Sequence, residues 1–324
     1  QRSPRQLLLS FTKSRQGQGR MIVTEPGAFL RAVDTLALKP EFPAVANAAF
    51  LVSPNGFSLA AESASDNRYM DLASQPDPLR ALAEHADLAC HLSEDVPLIT
   101  FPGDPEAMDG VFPNNVFATV PGRLIIGRMR HAVRQREALR EDIRHWLGVL
   151  QGRQVIDLSG RNLVAELTGA LVIDRARGIG YCGLSERCDM AGAEAMHEAF
   201  DLRLTYCFEL AAGEYHTNVV LAVLAGRAAI IAASGFRDRA AATAIASLYG
   251  AHVVCIDEAQ KQAYAANAIS LSSRRVWMSA RAAGSLAPAQ VQTLDDAGFA
   301  IGQVELGEIE KAGGSLRCCV GEIF

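Results

Sequence analysis

Two cysteines stand side by side near the end of the sequence, in Gly313-Gly314-Ser315-Leu316-Arg317-Cys318-Cys319. The glycines allow a sharp bend and a close approach to a ligand. Arg317 puts positive charge beside Cys318, and positive charge favours the thiolate, the nucleophilic form of cysteine. The segment reads as a nucleophile on a tight turn, with a buried, inert thiol as the bland alternative. What decides between them is whether a base, a carboxylate and a substrate clamp exist elsewhere in the chain.

Candidates for each are present. His216, in Gly213-Glu214-Tyr215-His216-Thr217-Asn218, sits at the mouth of an apolar run and is placed to move protons. Glu166, in Ala165-Glu166-Leu167-Thr168-Gly169-Ala170, is a carboxylate on an otherwise weakly polar turn. Asp109-Gly110-Val111-Phe112-Pro113-Asn114-Asn115 is a third polar knot before an apolar strand, although Asp and Asn also favour turns for structural reasons. Arg134 belongs to a basic cluster with Arg128, Arg130 and Arg136, and Arg187 lies in the loop Leu184-Ser185-Glu186-Arg187-Cys188. Arginine is the usual fork for a substrate carboxylate; a solvated helix face paired with Glu137 and Glu141 is the alternative for the first cluster. A thiol, an imidazole, a carboxylate, amides and arginines together suit nucleophilic attack on a planar C–N carbon, with proton transfer to the leaving amine.

The elements that must position these groups follow from the apolar pattern. Short runs predict strands at 50–52, 98–100, 124–126, 155–157, 171–173, 202–207, 219–223, 229–231 and 253–256. Apolar residues at three- and four-residue spacing predict helices over 79–89, 133–149, 190–200, 238–249 and 287–297. Five rounds of strands with one helix, each about 50–55 residues long, suggest repeated units closing around an axis. The candidate motifs each fall at a strand boundary in a different round, so such a ring would bring them to one mouth. Gly178-Ile179-Gly180-Tyr181-Cys182-Gly183 matches GxGxxG, but its first glycine ends a turn between two strands. A dinucleotide site needs the turn between a strand and its helix, so the segment predicts a hairpin.

The bulk numbers narrow the class. A chain of 324 residues, 49% apolar and with formal charge −5, is an ordinary globular composition without global attraction to nucleic acid or anionic lipid. Seven cysteines with no CxxC pair suggest neither a disulfide framework nor a zinc site, and a reducing cytoplasm is the natural location. No apolar run approaches the roughly 18 residues of a membrane span. Residues 1–20 hold Arg2, Arg5, Lys13, Arg15 and Arg20 but no acid. They are expected to be a non-native or disordered tail, with Met21 resembling a start. Residues 21–47 form a helical lead-in with Pro26 in a first turn, and residues 48–324 form one catalytic domain.

Asp109 to Asn115, Leu184 to Arg187, Tyr215 to Asn218 and Gly313 to Cys318, in that order, resemble motifs of the guanidino-group-modifying enzymes of the pentein fold. These include arginine deiminases, dimethylarginine dimethylaminohydrolases, amidinotransferases and dihydrolases. The resemblance is strongest to the arginine-deiminase-related citrulline-utilisation hydrolases, through the FPNN, YHTN and GGSxRC elements. It implies a five-bladed α/β propeller of pseudo-fivefold ββαβ-type units over residues 48–324. By motif it implies Cys318 as nucleophile and His216 as general acid/base, with Glu166 holding the planar head group. Arg134 and Arg187 would bind the substrate's α-carboxylate, and Asp109 would contact substrate. Cys319 would be a packing residue. Leu167 departs from the pattern, since glycine is commoner there.

Asn114 and Asn115 stand where dimethylarginine hydrolases have acids, and Asn218 where deiminases have aspartate. A cationic guanidinium is best clamped by carboxylates, whereas Asn offers a donor and an acceptor to a neutral ureido group. The expected reaction is therefore hydrolysis of a small amino acid, citrulline, to ornithine, carbon dioxide and ammonia, or of arginine through a citrulline-like intermediate. Neither cofactor nor metal is called for; a homo-oligomer is left open. The alternatives are an amidinotransferase, in which an amine resolves the thio-adduct, and an inactive binding module on the same fold.

Overall fold

The computed structural model describes residues 12–13 and 19–324. The protein is an α/β chain whose described strands form five sheets built on one pattern. An inner strand pairs antiparallel with the next, and a helical crossover leads to a third strand parallel to the second. This pattern orders Phe117–Val120, Arg123–Ile126 and Gln154–Asp157 in one sheet. Leu171–Asp174, Ile179–Leu184 and Leu204–Glu209 form another, and Leu221–Leu224, Ala228–Ile231 and Val253–Cys255 a third. In the first sheet the inner place is filled from the end of the chain: Gly321–Ile323 pairs antiparallel with Ala48–Val52, which runs parallel to Leu98–Phe101. The last sheet keeps only the parallel pair Arg275–Ser279 and Ala300–Val304. A single antiparallel bridge, Ile269 to Trp277, marks its inner position.

The crossover helices begin where the sequence supplies caps. The Asp77 carboxylate accepts from the N–H groups of Leu79 and Arg80 at the head of Pro78–Leu92. Asp189 caps Met190–Ala199 and Asp238 caps Arg239–Ser247, each cap worth roughly 1 kcal/mol. The apolar faces of these helices bury Leu88, Met196 and Ile245 against the sheets.

Several expectations shift. The helix expected over 133–149 is broken into the short turns Ala132–Gln135, Arg136–Leu139, Glu141–Arg144 and His145–Leu150. Arg140 leaves helical geometry at ψ 97°, its side chain bound to Asp142 and to the Pro102 carbonyl. Glu141 and Asp142 then favour a fresh N-terminus. The predicted hairpin at Gly178 is present, with φ of 69° at Gly178 between two antiparallel strands. Pro26 opens the helix Pro26–Thr35. Ahead of it, Gly19–Val23 joins a sheet alongside Leu204–Tyr206. Most of the expectation for residues 1–20 lies outside the described residues.

One local rule positions the chemistry. Short helical turns Pro113–Asn115, Leu167–Ala170, Thr217–Val219 and Leu316–Cys319 each directly precede an inner strand. They carry, in order, the paired asparagines, Glu166 at the turn's start, His216 with Asn218, and Cys318.

Candidate active site

Cys318 is buried, with its sulfur facing two amides. Asn267 Nδ2 lies 3.4 Å from Sγ and Asn218 Nδ2 lies 3.6 Å from it. Asn267 Oδ1 also accepts from the Cys318 N–H at 3.4 Å, and its Nδ2 donates to the Asn218 carbonyl at 3.0 Å. Burial pushes the Cys318 thiol above its usual value; Asn267, the local backbone, Arg317 and Asn218 oppose the shift without reversing it. Arg317 acts in the direction read from the sequence, lowering the thiol pKa against the effect of burial. Its side chain donates to the Val320 carbonyl and to Glu322.

His216 and Glu166 form a buried pair, with Nε2 and Oε2 2.7 Å apart. Burial raises the Glu166 pKa, but the Arg187 guanidinium and His216 outweigh it and hold the carboxyl well below the usual range. Burial also pushes His216 below its ordinary value, against the pull of Glu166. An ionised Glu166 therefore accepts the Nε2 proton of a neutral imidazole. Nδ1 is left as an acceptor, buried and without a partner. Gly169 makes this approach feasible: a Cβ there would come within 2.8 Å of His216 Nδ1 and would also strike Asn115 Oδ1.

A partly open cavity lies over these groups. Of the predicted site residues, Asp109, Asn115, Arg134, Arg187, His216 and Cys318 line it. Glu166 stands behind His216, Asn218 beneath the sulfur, and Asn114 is buried off the lining with both amide atoms unpartnered. Asp109 Oδ2 accepts from Ser63 Oγ at 2.6 Å while Oδ1 has no partner. Burial raises its pKa against the pull of Arg134.

The two arginines are more occupied than a free substrate clamp would be. Arg187 donates through Nε to both Asp66 oxygens at 3.0 Å, through Nη2 to the Ser63 carbonyl at 2.9 Å, and through Nη1 to Glu166 at 3.2 Å. Arg134 makes a bidentate pair with Glu137 at 2.8 Å for each bond, and its Nη2 also donates to the Phe112 carbonyl at 3.0 Å. Arg187 thus orients Glu166 in this state; the sequence reading gave both arginines to substrate, with Glu137 as an alternative partner for the Arg134 cluster, and passed over Asp66.

Asn267 was also missed. It occupies in the fifth unit the place that the other turns give to site residues, directly before the Ile269–Trp277 bridge. Its only signal was a lone amide in Ala265-Ala266-Asn267-Ala268-Ile269. Ser63 and Asn67 reach the cavity from the segment Ala61–Met70. Among the described residues no group of His, Cys, Asp and Glu could hold a metal ion, and no helix is long and apolar enough to cross a membrane.

A sequence profile described as N,N dimethylarginine dimethylhydrolase, eukaryotic, matches residues 53–324. The chain belongs to that family. As a member of the dimethylarginine hydrolase family it falls within the guanidino-modifying pentein superfamily and is a hydrolase of C–N bonds other than peptide bonds. Solved structures show the same fold. The N-terminal domain of ArgZ, a cyanobacterial arginine dihydrolase bound to substrate, is 18% identical with TM-score 0.74, over 85% of this chain and 97% of that one. AgrE, solved with ornithine and NAD+, is 20% identical with TM-score 0.74, over 86% of this chain and 39% of that one. A dimethylarginine dimethylaminohydrolase adduct is 20% identical with TM-score 0.64, over 86% and 99%. No curated protein matches the sequence.

Proposed function

We propose that this member of the dimethylarginine hydrolase family hydrolyses the ureido or guanidino head group of an arginine-like amino acid through a covalent adduct on Cys318, with citrulline accepted as substrate. The carrying observation is the set of unpartnered buried polar atoms around the cavity: His216 Nδ1, Asn115 Oδ1 and Asp109 Oδ1. Leaving such atoms unpaired costs roughly 1–3 kcal/mol each, and a planar head group bearing N–H donors offers what they lack. The asparagines add no charge to bury, and a raised Asp109 tolerates a neutral partner.

In this reading the Cys318 sulfur adds to the head carbon and its proton passes to the imidazole. With citrulline the C–NH2 bond breaks, His216 returns the proton and ammonia leaves. Water, deprotonated by His216, then breaks the C–S bond. The carbamate so formed loses carbon dioxide to give ornithine, and the thiol is restored. Arginine would give citrulline after one such cycle and ornithine after two. The five like-patterned sheets, with the inner strand Gly321–Ile323 packing beside Phe117–Val120 and Leu171–Asp174 beside Leu221–Leu224, support a pseudo-fivefold propeller that brings the turns to one mouth.

The test is a panel of citrulline, arginine and dimethylarginine, with ammonia, methylamines, citrulline and ornithine quantified. Ornithine and ammonia from citrulline are expected. Turnover of dimethylarginine alone would reject the ureido assignment. Glycine added to the arginine reaction separates the amidinotransferase reading, since only a transferase would form guanidinoacetate.

A further inference from the structure

Behind Cys318 lies a second, partly open pocket that the proposed reaction does not use. Thr168 and Asn218 line it, and Asn218 Nδ2 is the amide 3.6 Å from the Cys318 sulfur. The rest of its polar lining is Arg175, Arg317, Glu322 and Ser270. Arg317 Nη2 donates to Glu322 Oε2 at 2.8 Å, and Arg175 Nη2 lies 3.7 Å from that same oxygen. Two guanidiniums, each largely out of solvent, therefore share one carboxylate oxygen. Arg175 also lies over the rings of Phe324 and Phe200, 4.2 and 5.5 Å from their centroids, and makes a long bond to the Thr119 carbonyl at 3.4 Å. Ser270 Oγ is buried without any partner.

We propose that this rear cavity binds a small planar oxyanion, a carboxylate or hydrogencarbonate, between Arg175, Arg317 and Ser270. An arginine presents paired N–H donors that match the two oxygens of such an anion, and the lone Glu322 carboxylate leaves that capacity partly unused. Burial and the repulsion of Arg317 pull the Arg175 pKa down to about 10, with Glu322 opposing. Two like charges held together are under-neutralised, so an added anion gains from both. The Ser270 hydroxyl supplies a donor to it. The site is separate from the catalytic cavity and does not depend on which substrate that cavity takes.

The experiment is thermal unfolding of the full chain in acetate, in hydrogencarbonate and in sodium chloride of equal ionic strength at one pH. Either oxyanion should raise the melting temperature saturably, by roughly 2 °C at ten times its dissociation constant, beyond any effect of chloride. The anion that saturates at lower concentration identifies the source. Arg175→Gln and Ser270→Ala should each weaken the response at least fivefold in concentration. If Arg175→Gln does not fold, Ser270→Ala, which deletes only a hydroxyl, decides alone. A response equal in the wild type and Ser270→Ala, or no saturable response beyond chloride, overturns the proposal.

Discussion

At the residue scale, Cys318 is held by amides. Asn267 touches its sulfur, its N–H and the Asn218 carbonyl at once. Replacing Asn267 by Ala removes one of the groups that oppose the burial-driven rise in the thiol pKa. Cys318 alkylation by iodoacetamide should then need higher pH, with kcat lowered about tenfold; an unchanged pH profile would make Asn267 a packing residue only. Glu166→Gln should lower kcat about a hundredfold or more, because the amide can neither fix the His216 tautomer nor stabilise its cation. Because burial lowers the His216 pKa, the acid limb of kcat/KM should fall below pH 6.5, the ordinary imidazole value. The thiol, imidazole and carboxylate were legible from their motifs, since each sits in a distinctive polar run. Asn267 was not legible, because one amide among alanines carries no local pattern. Nor was the pairing of Arg187 with Asp66, which lies 121 residues away.

At the element scale, the site hangs on short turns before inner strands. Gly313 has φ of 77°, and a Cβ on it would meet Asn67, with Cγ at 2.9 Å. Gly313→Ala should therefore destabilise the protein by about 1–3 kcal/mol, read from urea midpoints, and should disturb the Asn67 bond to the Gly313 carbonyl. Gly169→Ala tests a different property: its Cβ would collide with the His216 ring and Asn115. Activity should be lost well beyond any change in melting temperature. Apolar runs and helical spacing located the second and third strands of most units; the second strands, such as Arg123–Ile126 and Ala228–Ile231, are largely buried and so read as continuous apolar runs. They did not reveal Arg275–Ser279, Ala300–Val304 or Gly321–Ile323, nor the break in the helix at Arg140. Those features depend on pairing with distant strands and on polar side chains bonding to backbone.

At the scale of the whole molecule, the order of motifs along the chain made the family legible before any contact was known. The ion pair of Arg187 with Asp66 depends on three-dimensional packing, whereas that of Arg134 with Glu137 is local in sequence. Two histidines outside the site contribute to the loss of stability in acid. Burial lowers the pKa of His85 and of His197 to about 4. The folded state thus favours their neutral forms, and the unfolded chain takes up protons first as pH falls below 6.5. Their contribution to stability is full above that value and is lost progressively between pH 6.5 and 4, by up to about 2 kcal/mol per histidine between pH 7 and 5. Urea unfolding at the two pH values checks this, and His85→Gln with His197→Gln should flatten the dependence. The most direct test of the whole account is ammonia release from citrulline and arginine by wild type and Cys318→Ala at equal concentration. Wild-type turnover with loss of at least a thousandfold in the variant is expected, and undiminished turnover in Cys318→Ala would contradict the account.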